Sequence, residues 1–507
     1  MPKRSLAYKA APVASDPWNG FYAGINVGGG ITQSKATDTE ALVGTVPPVI
    51  GADNFTHAAD GALVGGQVGW NWHFAPVWVA GVEADWDWSG QSEQVCVSAC
   101  FPAAPTGFLT GVQDHLSIDQ IATARARLGW IAPNNSLWYA TGGLAAGRIE
   151  HSEALPSVPP YYVAGTTAVA SFGHDQVGWV IGGGVETPLW NKWSVKVEYL
   201  FVDLGGVTES SSALVGPGII PPLGGVQTAT SSYSLHDNIV RAGLNYNFTA
   251  GSQPTGAYPV KYQSTPSATS GAKWNGFYAG LNAGSGLARN RTTESLVDPG
   301  NQYPALSAES FNHAPLGAIG GGQVGWNWRL QQALVAGVEA DWQWSGQSNT
   351  SCTTQCISPA VLGAGILGGL TDEQSIKWLG TARARLGWLT PDDSLLYVTG
   401  GAAWGHVDQT LTAYAGTGFF TAGTVSAASF SQDRAGWTIG AGVESPVWNN
   451  WSLKAEYLYI DLGTVTNSFT SAIVAFPPLN PATVQINTST SHIQDNVVRV
   501  GANYNFN

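Results

Sequence analysis

Only 11% of the 507 residues are Asp, Glu, Lys or Arg, yet several of these charges recur two positions apart. "GVEADWDW" sets Glu83, Asp85 and Asp87 in one phase, and "RARLGW" does the same with Arg125 and Arg127. Glu186, Lys196, Glu198 and Arg241 complete a first set; Glu339, Asp341, Arg383, Arg385, Glu444, Lys454, Glu456 and Arg499 form a second. Side chains two apart share a face only on an extended strand. Carboxylates and guanidiniums on one face suit a mutually neutralising network, because the Arg fork bonds carboxylates two at a time. The same charges could instead line a selective pore. Other candidates are weaker. Cys96 and Cys100 in "CVSAC", and Cys352 and Cys356 in "CTTQC", have no histidine at metal-ligand spacing. In an exported chain they read as a small disulfide within each loop. His57 in "FTHAADGA" matches His313 in "FNHAPLGA", each expected as a solvated histidine at a loop end rather than a haem or metal contact. His115, His151, His174 and His236 correspond to Glu373, Gln409, Gln432 and Gln494, so no Ser–His–acid constellation repeats and no enzyme is expected. Gly363, Gly365 and Gly368 spell G-x-G-x-x-G without a strand–helix context, which rules out a nucleotide site. No metal, cofactor or catalytic residue is assigned.

The elements that hold these charges announce themselves by alternation. In "NGFYAGINVGGG", Phe21, Ala23, Ile25 and Val27 alternate with Tyr22, Gly24, Asn26 and Gly28. That pattern has oil on one face and small or polar groups on the other. Glycine is abundant, at 64 residues, as is tryptophan, at 22, and no apolar run reaches the roughly 18 residues a membrane helix needs. Apolar residues dispersed at alternate positions suit a transmembrane barrel. The net charge of −13 argues against nucleic acid as a partner.

The chain also writes itself twice. "WNGFYAG" at 18–24 returns at 274–280, "GGQVGWNW" at 65–72 returns at 321–328, and "RARLGW" at 125–130 returns at 383–388. A period of about 256 residues marks a duplicated domain rather than a solenoid. We therefore divide the chain into a tail, 1–17; a first unit, 18–248; a flexible Gly/Pro/Ser/Thr-rich linker, 249–273; and a second unit, 274–507. The tail has basic residues but no apolar core of 7–15 residues, so it does not read as an intact secretory signal.

Each unit offers eight strand candidates. In the first they are near 20–31, 61–74, 77–89, 117–131, 136–149, 175–187, 193–204 and 236–248. Short turns such as "APNNS" and "TPLWNK" alternate with long polar loops, the connection pattern of outer-membrane barrels. The outward register carries Trp70, Trp72, Trp86 and Trp88, and again Trp326, Trp328, Trp342 and Trp344, as an aromatic girdle. The charges occupy the opposite register and must point inward, because a charge facing lipid at the midplane costs roughly 2–4 kcal/mol. An eight-stranded barrel is just wide enough for side chains to fill. The expected fold is all-β, two eight-stranded antiparallel up-and-down transmembrane β-barrels in tandem. The rival is one sixteen-stranded barrel with an aqueous channel.

The ordered run "WNGFYAGINVGGG", "GGQVGWNW", "GVEADW", "RARLGW", "YATGG", "VEYLFVDLG" and "RAGLNYNF" resembles the alphaproteobacterial outer-membrane β-barrel proteins, a family of small porin-like and surface-antigen barrels. The resemblance covers 18–248 and 274–506. It implies a Gram-negative outer-membrane location with long loops extracellular and termini periplasmic. It also implies outer-membrane lipid as a partner, the barrel-assembly machinery during insertion, a structural or envelope-integrity role with surface-exposed loops, and slow solute passage as the alternative. It offers no catalytic residues and names no loop ligand. Members usually carry one barrel and end on an aromatic residue, whereas here there are two and Asn507 follows Phe506.

Overall fold

The computed structural model describes residues 16–42, 49–97, 112–155, 168–215, 225–248, 274–297, 305–353, 370–414, 425–473 and 483–506. The 249–273 linker and Gly363, Gly365 and Gly368 lie outside them. The first unit comprises β1 (Gly20–Leu42), β2 (Val49–Ala75), β3 (Trp78–Val97), β4 (Val112–Ile131), β5 (Leu137–Leu155), β6 (Ala168–Trp190), β7 (Trp193–Val215) and β8 (Gly225–Asn247). The second comprises β9 (Gly276–Ala288), β10 (Asn290–Val297), β11 (Ala305–His313), β12 (Leu316–Arg329), β13 (Leu334–Thr353), β14 (Leu370–Leu389), β15 (Leu395–Tyr414), β16 (Val425–Trp448), β17 (Trp451–Ile473) and β18 (Thr483–Asn505).

Neighbouring strands pair antiparallel, and each unit closes on itself. β1 pairs β8 from Tyr22↔Asn247 to Leu42↔Gln227. β18 pairs β9 from Asp495↔Ala288 to Asn505↔Tyr278, and then pairs β10. These two closures replace the sixteen-stranded alternative with two separate barrels. Isolated bridges at their loop ends, Asn312↔Thr56, Ser310↔Cys96 and Cys352↔Asn54, join one to the other.

The outward faces sort by height. From the turn end upward, β5 shows Leu144 and Ala146 and then Arg148 and Glu150; β6 shows Ile181, Trp179 and Val177 and then Asp175. Below that border the surface suits hydrocarbon, and above it suits water. The strands nevertheless run on. β1 extends to Leu42 and β7 to Val215, well past the ends near 31 and 204 that alternation suggests. Beyond the apolar band both faces are polar, so the binary pattern fades although the backbone ladder continues. The second unit has ten elements instead of eight because its first two strands break. Pro315, which has no N–H to give a ladder, separates β11 from β12, and Ala288 N bonds the Pro315 carbonyl instead at 2.9 Å.

Candidate functional site

The alternation of β1 turns Tyr22 and Asn26 inward, both buried, and leaves Phe21 and Ile25 exposed; Tyr278, Asn282, Phe277 and Leu281 repeat this in β9. Inward room is short. A Cβ on Gly28 would lie 2.2 Å from the Val240 carbonyl and within 3 Å of the Arg241 stem, so only glycine lets that stem cross β1. Gly284 does the same for Arg499.

The charges converge in the space so made. Arg125 Nη2 donates to Glu83 at 2.5 Å and Asp85 at 2.7 Å, while Nη1 reaches Glu198 at 2.8 Å. Arg241 donates to Glu198 at 3.0 Å, Asp85 at 2.9 Å and Asp87 at 2.6 Å. Lys196 Nζ donates to Glu83 at 2.7 Å. Arg127 reaches Glu186 at 3.2 Å and lies between the Tyr22 and Tyr139 rings, its guanidinium carbon 4.8 and 5.2 Å from their centroids. All nine first-unit charges named from the sequence are buried and belong to this one cluster. Alternation also turned Tyr139, Thr123, Asn71 and Asn245 inward, and these complete it. Tyr22 donates to Glu83, Tyr139 to Glu198, Thr123 to Asp85 and Asn245 to Glu186.

The second unit copies the arrangement. Arg383 donates to Glu339 at 2.5 Å, Asp341 at 2.8 Å and Glu456 at 2.9 Å; Arg385 reaches Glu444 at 2.9 Å, and Lys454 reaches Glu339 at 2.7 Å. One difference has a visible cost. Gln343 stands where the first barrel has Asp87. Arg499 therefore keeps its bonds to Asp341 and Glu456, but its Nη1 is buried without a hydrogen-bond partner.

Apolar layers sit at both ends of each network. Toward the turns lie Trp18, Val79, Ile131, Leu137 and Tyr139, with Trp274, Val335, Leu389, Leu395 and Tyr397 in the second barrel. Trp18 Nε1 is fixed by the Asn135 carbonyl at 3.1 Å. Toward the loops lie Leu63, Ile118, Ile121, Leu200 and Ile239 in one barrel, and Ile376, Leu379, Leu458 and Val497 in the other. Outside, Trp70, Trp72, Trp86, Trp88, Trp326, Trp328, Trp342 and Trp344 are all exposed, and the rings of Trp86 and Trp88 meet at a tilt with centroids 4.1 Å apart.

The histidine expectation was wrong. His57 and His313 are buried in their lumens, not solvated at loop ends, because β2 and β11 continue past the apolar band and keep them in the inward phase. His57 Nε2 meets Asp114 at 3.0 Å, and His313 pairs with Asp372 at 3.0 Å. Cys96 and Cys352 are each disulfide-bonded; Cys100 and Cys356 lie outside the described residues. Among the described residues no group of His, Cys, Asp and Glu has the arrangement to hold a metal ion.

The family and sequence comparisons agree with this architecture. The model of the outer membrane protein beta-barrel domain matches twice, over residues 5–248 and 263–506. The 31 kDa outer-membrane immunogenic protein of Brucella melitensis is 34% identical over 256 residues, 48% of this chain and 90% of that protein. The 22 kDa outer membrane protein of Rhizobium leguminosarum is 33% identical over 143 residues, 28% of this chain and 52% of that one. Among solved structures, Ail, the attachment invasion locus protein of Yersinia pestis, aligns with 45% of this chain and 99% of its own at 11% identity, with a TM-score of 0.18. Two matches to one domain model, each spanning a barrel that closes on itself, carry the assignment: this chain belongs to the outer-membrane β-barrel protein family.

Proposed function

We propose that the chain is a structural, surface-exposed outer-membrane protein whose two lumens are sealed, with the long loops outside and the termini and linker in the periplasm. The observation that carries this reading is the continuous filling of each lumen. An ion-paired layer, with Arg125, Arg241, Lys196, Glu83, Asp85 and Glu198 all buried, lies between two apolar layers. A hydrated ion would have to displace side chains that are already paired with one another, at a cost of several kcal/mol for each partner stripped of its opposite charge. The outward apolar band takes membrane lipid as its partner, and no catalytic role is assigned to any residue. The experiment is single-channel recording of the purified full chain in planar bilayers. Sealed barrels give no discrete steps at neutral pH. Reproducible, ion-selective steps would overturn the reading in favour of a porin for small hydrophilic solutes.

A further inference from the structure

At its loop end the first barrel carries a second polar cluster, above the apolar band and outside the membrane-spanning segment. The β2–β3 ladder stops at Asp60↔Ser92, so β2 from Val49 to Ala59 has no ladder to β3. β11 of the second barrel meets both edges of that seam, Asn312 pairing Thr56 of β2 and Ser310 pairing Cys96 of β3, and side chains of the first barrel cross it as well. His57 Nδ1 lies 3.3 Å from Glu93 Oε2 on β3, and Glu93 also accepts the Ala58 N–H. The connection then runs across the lumen: His57 Nε2 to Asp114 of β4 at 3.0 Å, Asp114 to His151 Nε2 of β5 at 2.5 Å, and His151 Nδ1 to Glu209 of β7 at 2.7 Å. Glu209 finally pairs with His174 of β6 at 2.7 Å, where the side chain is partly open to solvent.

The second barrel draws the same path with amides. Asn349, Gln409, Asn467 and Gln432 stand in for Glu93, His151, Glu209 and His174, while His313 and Asp372 are kept. His313 Nδ1 meets Asn349 at 2.9 Å, Gln409 donates to Asp372 at 2.7 Å, Asn467 to Gln409 at 2.6 Å, and Gln432 to Asn467 at 2.7 Å. One geometry is thus written once in titratable groups and once mostly in groups that cannot titrate.

We propose that the His57–Asp114–His151–Glu209 chain is a proton-dependent latch that ties the β2 edge of this seam across the lumen to β4, β5 and β7 of the first barrel, and that the second barrel carries a version with fewer titratable groups. The groups facing the latch are Asp38 of β1, Asp53 of β2, Glu93 of β3, Asp114 of β4, His151 and Glu153 of β5, His174 of β6, Glu209 of β7 and Tyr233 of β8; from the second barrel, Asn312 and Asn349, uncharged, touch Thr56, and the buried Glu309 lies next to Ser310, which pairs Cys96 of β3. Asp38 sits directly opposite Asp53 on the β1–β2 ladder. Burial works against charge on His57, but Asp114 and Glu93 outweigh it and hold the imidazole up to about 10. Burial likewise opposes charge on His151, and Asp114 and Glu209 hold it up to about 9. Burial, with Asp114 and Glu153 beside it, pushes Asp38 up; burial and Asp114 push Glu153 up. Asp114 goes down, its burial outweighed by His57 and His151. A group held above its unfolded value stabilises the closed form at low pH and loses that stabilisation as pH rises through its folded value. The latch is therefore fully made near pH 6 and released above about 9.

The test is amide hydrogen exchange of the full chain in lipid vesicles between pH 6 and pH 10. Exchange of peptides covering 53–59 and 93–97 is divided at each pH by the intrinsic rate of the same sequence when unfolded, because 309–315 and 349–353 pair with these segments and cannot serve as an independent reference. The first barrel's relative exchange is expected to rise at least tenfold. E93N/H151Q/E209N should flatten that rise to within twofold. Should that variant fail to fold, N349E/Q409H/N467E should transfer the rise to the second barrel. A ratio constant within twofold across the range in the unaltered chain overturns the proposal, whatever the bilayer recordings show.

Discussion

Removing Arg125 puts the sealed-lumen account at risk most directly. Its guanidinium serves three carboxylates at once, Glu83, Asp85 and Glu198, at 2.5, 2.7 and 2.8 Å. Arg125→Met fills much of the same volume but leaves Glu83 to Lys196 and Tyr22, and Asp85 and Glu198 to share Arg241. The first network holds Glu83, Asp85, Asp87, Glu186 and Glu198 against Arg125, Arg127, Lys196 and Arg241, so it already carries one carboxylate more than its cations. The substitution widens that excess in a place with little water to spread it. Breaking a buried ion pair from one side costs about 3–5 kcal/mol. Arg383→Met removes the same fork from the second barrel, but Glu339, Asp341, Glu444 and Glu456 there exactly match Arg383, Arg385, Lys454 and Arg499 in number. Its cost should fall toward the lower end of that range. Glu198→Gln provides the opposite control. It leaves four carboxylates facing four cations and keeps an oxygen for Tyr139 and Arg125, but turns an amide NH2 toward Arg241 where the second oxygen accepted, and should cost about 1–3 kcal/mol, the scale of a buried donor left without its acceptor. The assay is equilibrium urea unfolding in lipid vesicles, read barrel by barrel through hydrogen exchange of 112–131 and 370–389. A loss under about 1 kcal/mol for Arg125→Met, or a loss larger for Glu198→Gln than for Arg125→Met, refutes the claim that pairing rather than volume holds the lumen.

The remaining expectations use the same readouts. Gln343→Asp should give Arg499 Nη1 the partner that Asp87 gives Arg241, raising the second barrel's stability by about 1 kcal/mol, the scale of satisfying a buried donor; a loss of that size would show that the extra charge outweighs the bond. Leu281→Arg places a charge on the exposed outward face of β9 and should cost about 2–4 kcal/mol in a bilayer, with little effect expected if that face met water. Gly28→Val should prevent closure of the first barrel, because its Cβ would overlap the Val240 carbonyl 2.2 Å away; heat-modifiable migration of the first barrel should vanish while the second keeps it.

How far the sequence discloses this molecule depends on which solvent each residue faces. Within the membrane, lipid forces every outward side chain to be apolar, so Phe21, Ile25, Val82 and Leu144 alternate against Tyr22, Asn26, Glu83 and Arg125 without ambiguity. The inward charges are legible for the same reason: no other face could hold them. Above the band that forcing disappears. Arg148 and Glu150 face water while His151 and Glu153 face the lumen, and all four are polar, so β5 looks like loop from Glu150 on. His57, Asp114, His151 and Glu209 are hidden by exactly this loss of contrast. One signal was available. The two copies share His57/His313 and Asp114/Asp372 but differ where Glu93, His151 and Glu209 meet Asn349, Gln409 and Asn467. An amide replacing a carboxylate or imidazole of similar size, at three positions of a duplicated unit, keeps hydrogen-bond geometry while discarding charge. Solvated loop residues have no reason to conserve shape in that way, whereas partners in one buried chain do. Comparison of the halves therefore recovers inward-facing positions where periodicity fails, and it does so by chemistry that works only if the side chains touch.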